Sequence, residues 1–89
     1  MNIEWTDYMR FRIQTRGYDL AGLEHILVHS TERYFDTATQ RYVIVGRFRE
    51  SLVLIPFEYH EDRIVPITVH ATTRQQVNFR VRTGRLIYA

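Results

Sequence analysis

Hydrophobic positions in the first third of the chain recur at helical spacing. They fall on Met9 and Ile13 in one segment and on Leu20, Leu23, Ile26 and Leu27 in the next. Residues three or four apart share one face of a helix, so each segment can bury a stripe against a core. Thr6 or Asp7 can cap the first predicted helix, and Gly17 can end it. Asp19 can cap the second, which covers about residues 20–29.

From residue 34 onward the pattern changes to an alternation of apolar and polar residues, which is typical of strands. After a short β-prone opening at residues 3–5, the predicted strands cover residues 34–36, 41–48, 51–59 and 63–70. Two-residue turns at 49–50 and 61–62 join the last three, so they form an antiparallel meander. Thr73 and Gln76 then match a capping box, and Gly84 can end a C-terminal helix.

Two-residue turns fix a trial register for this meander. The pairs are Gly46 with Val53, Glu58 with Val65, and Val53 with His70. One face of the sheet then carries Val43, Val45, Leu52, Leu54, Val65, Ile67 and Val69, and we expect it to lie under the first two helices. The opposite face is aromatic and mixed, with His70 beside Gly46. Pro56 cannot donate a ladder hydrogen bond and can mark a bulge.

The predicted order β-α-α-β-β-β-β-α is typical of a small α+β fold. We expect one domain over residues 1–89, in which two N-terminal helices pack on a four-stranded antiparallel sheet, with a third helix at the C-terminus. The sequence contains no cysteine, which excludes disulfides and thiolate chemistry. It shows neither a signal peptide nor an apolar run of membrane-spanning length. We therefore expect a cytoplasmic protein without a membrane partner.

The net charge of +2 conceals an asymmetry. All ten acidic residues lie within residues 1–62, whereas residues 63–89 contain five arginines and no acid. A basic block at one end of a chain is typical of a phosphate-rich partner. All twelve basic residues are arginine, which binds phosphate bidentately and stacks on bases. A genome composition that replaces lysine with arginine explains the same bias without any nucleic acid.

A series of short motifs runs along most of the chain, from about residue 3 to 82. They are Trp5-Thr6-Asp7, Arg16-Gly17-Tyr18, Ile26-Leu27, Asp36, Tyr42 to Gly46, Leu52-Val53, Arg63-Ile64, Thr68 and Ala71-Thr72-x-Arg74. In order and spacing they resemble small bacterial toxin-like proteins of the RelE/ParE superfamily, most closely the BrnT branch and its uncharacterised relatives. The resemblance implies a RelE/BrnT-like fold with two N-terminal helices on the sheet.

The resemblance also implies a toxin-like, metal-independent ribonuclease of a type II toxin-antitoxin system, with no cofactor. The implied partners are RNA, free or associated with ribosomes, a cognate antitoxin and a second copy of the chain. Arg63 and Arg74 match basic positions of the family. Tyr8 stands where relatives often carry histidine, and Gln75-Gln76 stands where they are often basic. These departures favour the alternative, a non-catalytic RNA-binding or protein-interaction module of the same fold.

RNA cleavage without a metal needs a base, positive charge at the phosphate and an acid for the leaving oxygen. The predicted catalytic residues are His70, Arg74 and Tyr88. His70 can act as base or acid because an unperturbed histidine has a pKa of about 6.5. Arg74, together with Arg80, supplies charge, and Tyr88 supplies a phenolic proton. The alternative is that His70 only ends a strand and that Arg74 only begins a helix exposed to solvent.

The predicted RNA-binding residues are concentrated in the C-terminal helix. They are Arg63, Arg74, Asn78, Arg80, Arg82 and Arg85. Val77 and Val81 lie four apart and face the core, so Arg74, Asn78, Arg82 and Arg85 fall on a neighbouring stripe, and Arg80 lies on the other flank. The same surface suits an acidic antitoxin segment, and the sequence leaves both partners open.

Three other groups have weaker chemical interpretations. His25 and His29 can reach one ion, but they have no third ligand, so we expect a solvated helix face rather than a metal site. His60 and His70 lie at opposite ends of a hairpin, over about 20 Å apart at 3.3 Å per residue, which excludes a histidine pair. The aromatic residues Tyr42, Phe48, Phe57 and Tyr59 can stack bases unless a helix or another copy covers them.

Overall fold

The computed structural model describes residues 2–89, which form three helices and a seven-stranded mixed sheet. The helices are α1 (Asp7–Thr15), α2 (Leu20–His29) and α3 (Arg74–Arg82). The strands are β1 (Asn2–Ile3), β2 (Arg33–Asp36), β3 (Arg41–Phe48), β4 (Ser51–His60), β5 (Arg63–Pro66), β6 (His70–Thr72) and β7 (Leu86–Tyr88). None of the three helices is long and apolar enough to cross a membrane.

The class is α+β, as the sequence predicts, but the sheet has more than the four strands expected. The strand predicted over residues 63–70 is split into β5 and β6, the predicted β-prone opening at residues 3–5 joins the sheet as β1, and β7 was not predicted. The strand order is β1-β5-β4-β3-β2-β7, with β6 pairing with β4 beyond the end of β5. β1 runs parallel to β5, which makes the sheet mixed, and the other pairs are antiparallel.

Side-chain caps define the helix starts as the sequence predicts. Thr6 Oγ1 accepts from the backbone N–H of Met9 at 3.1 Å, and Asp19 Oδ1 accepts from that of Gly22 at 2.6 Å. Thr73 caps α3 in the same way. These bonds satisfy donors that the first turn of a helix leaves without partners. Gly17, with φ of +78°, closes α1 in a conformation that glycine adopts without strain.

The predicted register is confirmed up to Pro66 and is wrong beyond it. Gly46 pairs with Val53, and Glu58 pairs with Val65. His70, however, pairs with Leu54 instead of Val53. The segment 67–69 therefore contains one residue more than regular pairing requires, which is the geometry of a β-bulge. At the start of the bulge, the N–H of Ile67 still donates to the carbonyl of Pro56 at 2.8 Å.

The expectation that the first two helices cover the face with Val43 and Val45 is wrong. That face packs under α3, in a cluster that also contains Tyr34, Leu54, Val77 and Leu86. α1 and α2 cover the opposite face, where their buried residues meet Ile44, Phe48, Val53, Ile55, Phe57, Ile64 and Val69. Gly46 explains the choice, because a Cβ there would lie 2.5 Å from Ile26 Cγ2. The gap that the glycine leaves is therefore filled by α2 and does not adjoin His70.

Candidate nucleic-acid interface

His70 lies at the edge of the sheet, between the helix layers on its two faces. The bulge at residues 67–69 buries Val69 completely against α1 and α2 and leaves the next residue, His70, exposed at the start of β6. Its strand partner, Leu54, belongs to the face that α3 covers. His70 is therefore within reach of side chains from both α1 and α3.

Arginines associated with both helices lie near His70: Arg16 contacts the imidazole, Arg12 contacts Thr68, and Arg80 lines the same cleft. Arg16 Nη1 donates to the carbonyl of Val69 at 2.7 Å and lies 3.4 Å from His70 Nδ1. Arg12, one helical turn before Arg16, donates from Nε to Thr68 Oγ1 at 3.4 Å. Arg80 approaches from α3 and adds its positive charge. We call Arg12, Arg16, His70 and Arg80 the His70 cluster.

The cluster keeps His70 neutral at pH 7. Partial burial lowers the pKa of His70 from its ordinary value of 6.5, and the positive charges of Arg16, Arg12 and Arg80 lower it further. Because a guanidinium has donors only, His70 Nδ1 accepts from Arg16, and the neutral ring carries its proton on Nε2. The Nε2–H group is therefore the donor that His70 can offer a ligand.

A cleft of about 450 Å³ lies beside the cluster, on the α3 side of the sheet. The polar residues that line it are Asp36, Thr39, Arg41, Thr68, His70, Thr72, Gln76, Arg80 and Arg85. The only acid among them, Asp36, is buried and is neutralised by Arg85, whose Nε lies 2.9 Å from Asp36 Oδ1. The cleft thus offers hydroxyl, amide and guanidinium donors to an anion.

The sequence interpretation missed the contribution of α1. Tyr8, Arg12 and Arg16, the C-terminal cap of α1, are four residues apart, so they form a stripe along this helix beside the buried Met9 and Ile13. The guanidinium of Arg12 lies 5.3 Å from the centre of the Tyr8 ring, a cation–π contact that positions both side chains. The four-residue spacing is visible in the sequence. The contact of Arg12 and Arg16 with residues 68–70, however, depends on the bulge, which was not predicted from the sequence.

Arg74, a predicted catalytic residue, binds a carboxylate within the protein. Its two terminal nitrogens donate to Glu32 at 2.6 and 2.9 Å, and the Tyr34 hydroxyl donates to the same carboxylate at 2.6 Å. The Arg74 hydrogen bonds hold the pKa of Glu32 below its usual range, against the effect of burial. This bidentate pair links the start of α3 to the segment before β2. Arg74 therefore has a structural role in this geometry.

Tyr88, the other predicted proton donor, is not brought to His70. It lies on β7, with its ring 5.2 Å from that of Tyr34. β7 is separated from β6 by β2, β3 and β4, and four strand spacings of 4.8 Å amount to about 19 Å. The predicted catalytic set of His70, Arg74 and Tyr88 is therefore not assembled around one point in this structure.

The six predicted RNA-binding residues have three kinds of surroundings. Arg63 and Arg85 are ion-paired, like Arg74; Arg63 Nη1 lies 2.7 Å from Glu4 Oε1. Arg80 lines the His70 cleft. Asn78 and Arg82 lie on the outer surface of α3, where the Arg82 guanidinium is 5.6 Å from the centre of the exposed Phe79 ring. Five of the six predicted residues line a broad cleft of about 920 Å³ over α3: Arg74, Asn78, Arg80, Arg82 and Arg85. Arg80 is the one that also belongs to the His70 cluster.

The remaining histidines and aromatic residues lie away from the cluster. The rings of His25 and His29 are 4.5 Å apart on the exposed side of α2, and residues 2–89 contain no group of three or more side chains arranged to hold a metal ion. His60 binds Glu58, and it lies six residues, about 20 Å, along β4 from the partner of His70. Helices α1 and α2 cover Phe48 and Phe57, whereas Tyr42 and Tyr59 remain exposed.

No family model matches the chain, and neither a curated protein nor a solved structure matches it. The chemistry of the site therefore follows from its geometry. The cleft is lined by a neutral imidazole, the guanidinium groups of Arg41, Arg80 and Arg85 and several hydroxyl and amide groups, and Arg16 contacts the same imidazole from the α1 side. Such a set binds phosphate through charge-assisted hydrogen bonds.

Proposed function

We propose that the protein binds the phosphate backbone of RNA at the His70 cluster, as a RelE/BrnT-like module. The observation that carries this proposal is the convergence of Arg12, Arg16 and Arg80 on the exposed edge at His70. Like charges repel one another, so a protein that gathers them beside a cleft gains most when an anion neutralises them. The motif resemblance supports RNA as that anion and the cytoplasm as the place of action.

The ion pairs support the location of the site. Five arginines of residues 2–89, Arg41, Arg49, Arg63, Arg74 and Arg85, bind carboxylates within the chain. No arginine of the His70 cluster has an acidic partner within 4 Å among the described residues. Seven arginines of residues 2–89 have no such partner, and five of them belong to α1, its C-terminal cap or α3: Arg10, Arg12, Arg16, Arg80 and Arg82. The charge that the fold leaves for an external partner is therefore greatest on the two helices that flank His70.

Salt dependence of binding tests the proposal. We expect a labelled single-stranded oligoribonucleotide to bind with an affinity that falls as salt rises, and Arg16→Gln and Arg80→Gln each to reduce the logarithmic slope by about 0.7. Arg10→Gln is the matched control on α1, and Arg82→Gln is the control on α3. Equal losses in the control variants would place the RNA elsewhere on the surface.

Metal-independent ribonuclease activity is the second candidate, and His70 is the observation that favours it. A neutral imidazole beside guanidinium groups is able to exchange protons with a substrate whose phosphate those groups hold. The pairing of Arg74 with Glu32 and the distance of Tyr88 from His70 favour binding without cleavage. Incubation of RNA with the protein and a chelator separates the two candidates: cleavage that His70→Gln abolishes supports the enzyme, and intact RNA supports the module.

The other partners that the motif resemblance implies stay predictions. They are a ribosome-associated RNA, a cognate antitoxin and a second copy of the chain. An antitoxin that neutralises a toxin at its RNA site would cover the His70 cluster. It would therefore compete with the oligoribonucleotide in the same binding assay.

A further inference from the structure

Apolar and aromatic side chains line up across four neighbouring strands on the face that carries α1 and α2. The aligned residues are Ile87 on β7, Phe35 on β2, Tyr42 on β3 and Phe57 on β4. Tyr59 extends this row, with its ring 5.2 Å from that of Tyr42 in an edge-to-face contact. Phe57 is buried, whereas Tyr42 and Tyr59 are 38% and 55% exposed. We call Tyr42 and Tyr59 the tyrosine platform.

A second cleft, of about 290 Å³, adjoins this platform. Its other lining residues are Gln40, Arg41, Phe57, Glu58 and His60. Gln40 Nε2 donates to the carbonyl of Thr37 at 2.9 Å, and His60 Nε2 lies 3.0 Å from Glu58 Oε1. Gln40 Oε1 and His60 Nδ1 are the atoms of these side chains that can hydrogen-bond the edge of a nucleobase. The site thus combines aromatic surfaces with polar groups at their rim, which suits a planar polar ligand better than an aliphatic one.

The β2–β3 turn and the residue after it connect the two clefts. Thr39 lines the cleft beside His70, Gln40 lines the cleft beside the platform, and Arg41 lines both. Tyr59 is five residues along β4 from Leu54, the strand partner of His70, a separation of about 16 Å. The His70 cleft and the platform lie on opposite faces of the sheet, and Arg41 borders both clefts. A single strand of nucleic acid that passes around this end of the sheet therefore connects the two clefts.

We infer that the tyrosine platform stacks bases of the same single-stranded RNA whose phosphates the His70 cluster binds. This inference rests on the proposed function and specifies its substrate. Bases in a duplex are already paired and stacked, so a stacking platform selects single strands. Stacking on tyrosine tolerates every base, because each base has an aromatic face. The protein would therefore bind unpaired RNA with little preference for sequence.

Substitutions that separate stacking from shape test the inference. Tyr42→Leu and Tyr59→Leu remove the aromatic face, and Tyr42→Phe and Tyr59→Phe retain it. We expect each leucine variant to weaken binding of a single-stranded oligoadenylate by about fivefold or more, and each phenylalanine variant to bind nearly as the parent protein does. Tyr88→Leu is the matched control, since Tyr88 is 77% exposed and lies on β7 at the other edge of the sheet.

An abasic oligomer with the same number of phosphates isolates the role of the bases. On the parent protein it should bind more weakly than oligoadenylate. The parent protein and the leucine variants should bind the abasic oligomer with equal affinity, because it has no bases to stack. Equal affinity of the parent and leucine variants for oligoadenylate, with binding still lost in Arg16→Gln, would overturn the platform and leave the proposed function intact. Failure of the parent protein to bind any RNA would overturn both.

The same leucine variants test whether a second copy of the chain covers the platform instead. Sedimentation of the parent protein and of Tyr59→Leu, without RNA, measures self-association. The inference predicts the same sedimentation for both proteins. A parent dimer that Tyr59→Leu dissociates would assign the platform to a protein interface and overturn the inference.

Discussion

Asp36 is the one charged side chain among residues 2–89 that the core encloses, and it organises the end of the sheet below the His70 cleft. Burial alone would raise the pKa of Asp36. Hydrogen bonds from Arg85 and from the backbone N–H groups of Ala38 and Thr39 outweigh that effect and hold the pKa below its ordinary value. The ionised carboxylate thereby fixes the β2–β3 turn, Arg85 and the wall of the cleft together.

Removal of this carboxylate should destabilise the protein. Asp36→Ala leaves two turn N–H groups and a partly buried guanidinium without their acceptor, so we expect the free energy of unfolding to fall by about 1–3 kcal/mol. Urea denaturation followed by circular dichroism measures the change. Glu24→Ala, at an exposed position on α2, is the control and should change stability little. An Asp36→Ala protein as stable as the parent would contradict this account of the turn.

Arg16 should control the protonation of His70. Its positive charge favours the neutral imidazole, so Arg16→Gln should move the pKa of His70 upwards, towards 6.5. A proton NMR titration of the ring measures the pKa directly. Arg10→Gln, on the same helix, should leave the His70 titration nearly unchanged. An unchanged pKa in Arg16→Gln would show that the two side chains are not electrostatically coupled.

At the residue scale, the sequence predicted some members of the candidate site and missed others. His70 and Arg80 were predicted because their residue types suit phosphate chemistry. Arg12 and Arg16 were missed because nothing in their own segment shows that α1 passes beside residues 68–70. Arg74 lies beside Glu32, a neighbour 42 residues away in the chain. Contacts between distant segments therefore decide which arginines remain available to a ligand.

At the scale of elements, the contact of α2 with β3 depends on Gly46. Gly46→Ala would place a Cβ 2.5 Å from Ile26 Cγ2, and we expect a loss of about 1–3 kcal/mol in the free energy of unfolding. A double-mutant cycle with Ile26→Ala identifies the cause. The double variant should be more stable than the sum of the two single effects predicts, because Ile26→Ala removes the clashing atoms. Additive losses would place the strain elsewhere.

Helix boundaries and the β3–β4 register were predictable because local chemistry decides them. Thr6, Asp19 and Thr73 satisfy the first N–H groups of their own helices, and the short turn at residues 49–50 fixes its own hairpin. The bulge at residues 67–69 and the choice of face for α1 and α2 were not predictable in this way. Both depend on the packing of α1 and α2 against strands that are distant in the sequence. Because both faces of the sheet are apolar, alternation along one strand does not show which face the helices cover.

At the scale of the whole molecule, the charge asymmetry of the sequence is partly neutralised by folding. Arg63, Arg74 and Arg85 carry three of the five charges of the acid-free segment, and each binds an acid from the first 62 residues. The basic C-terminus is therefore in part the counterpart of the acidic N-terminal region within the same fold. Most arginines of residues 2–89 without an acidic partner instead belong to α1, its C-terminal cap and α3.

The pH dependence of stability should reflect the carboxylates and His70 together. Folding lowers the pKa values of Glu32, Asp36 and Glu58, so their contribution is present above the ordinary carboxyl range and is lost as the pH falls through the folded-state values. Folding also lowers the pKa of His70, so the unfolded chain takes up that proton first as the pH falls below about 6.5.

Both effects have the same sign, and we expect the free energy of unfolding to decrease steadily between about pH 7 and pH 3. Urea denaturation at intervals of one pH unit measures this decrease. In His70→Gln the part of the decrease between pH 7 and 5 should be smaller. A stability that stays constant or rises over the acidic range would contradict the assigned pKa directions.

The central claim, that RNA phosphate lies at the His70 cluster, is tested most directly by the titration of His70 with and without RNA. A bound phosphate favours the imidazolium, so the pKa of His70 should rise when a single-stranded oligoribonucleotide is added. The ring resonances of His25 and His29, on the exposed side of α2, should change little and serve as internal controls. If RNA binds while the titration of His70 stays unchanged, the RNA site lies elsewhere and the claim is wrong.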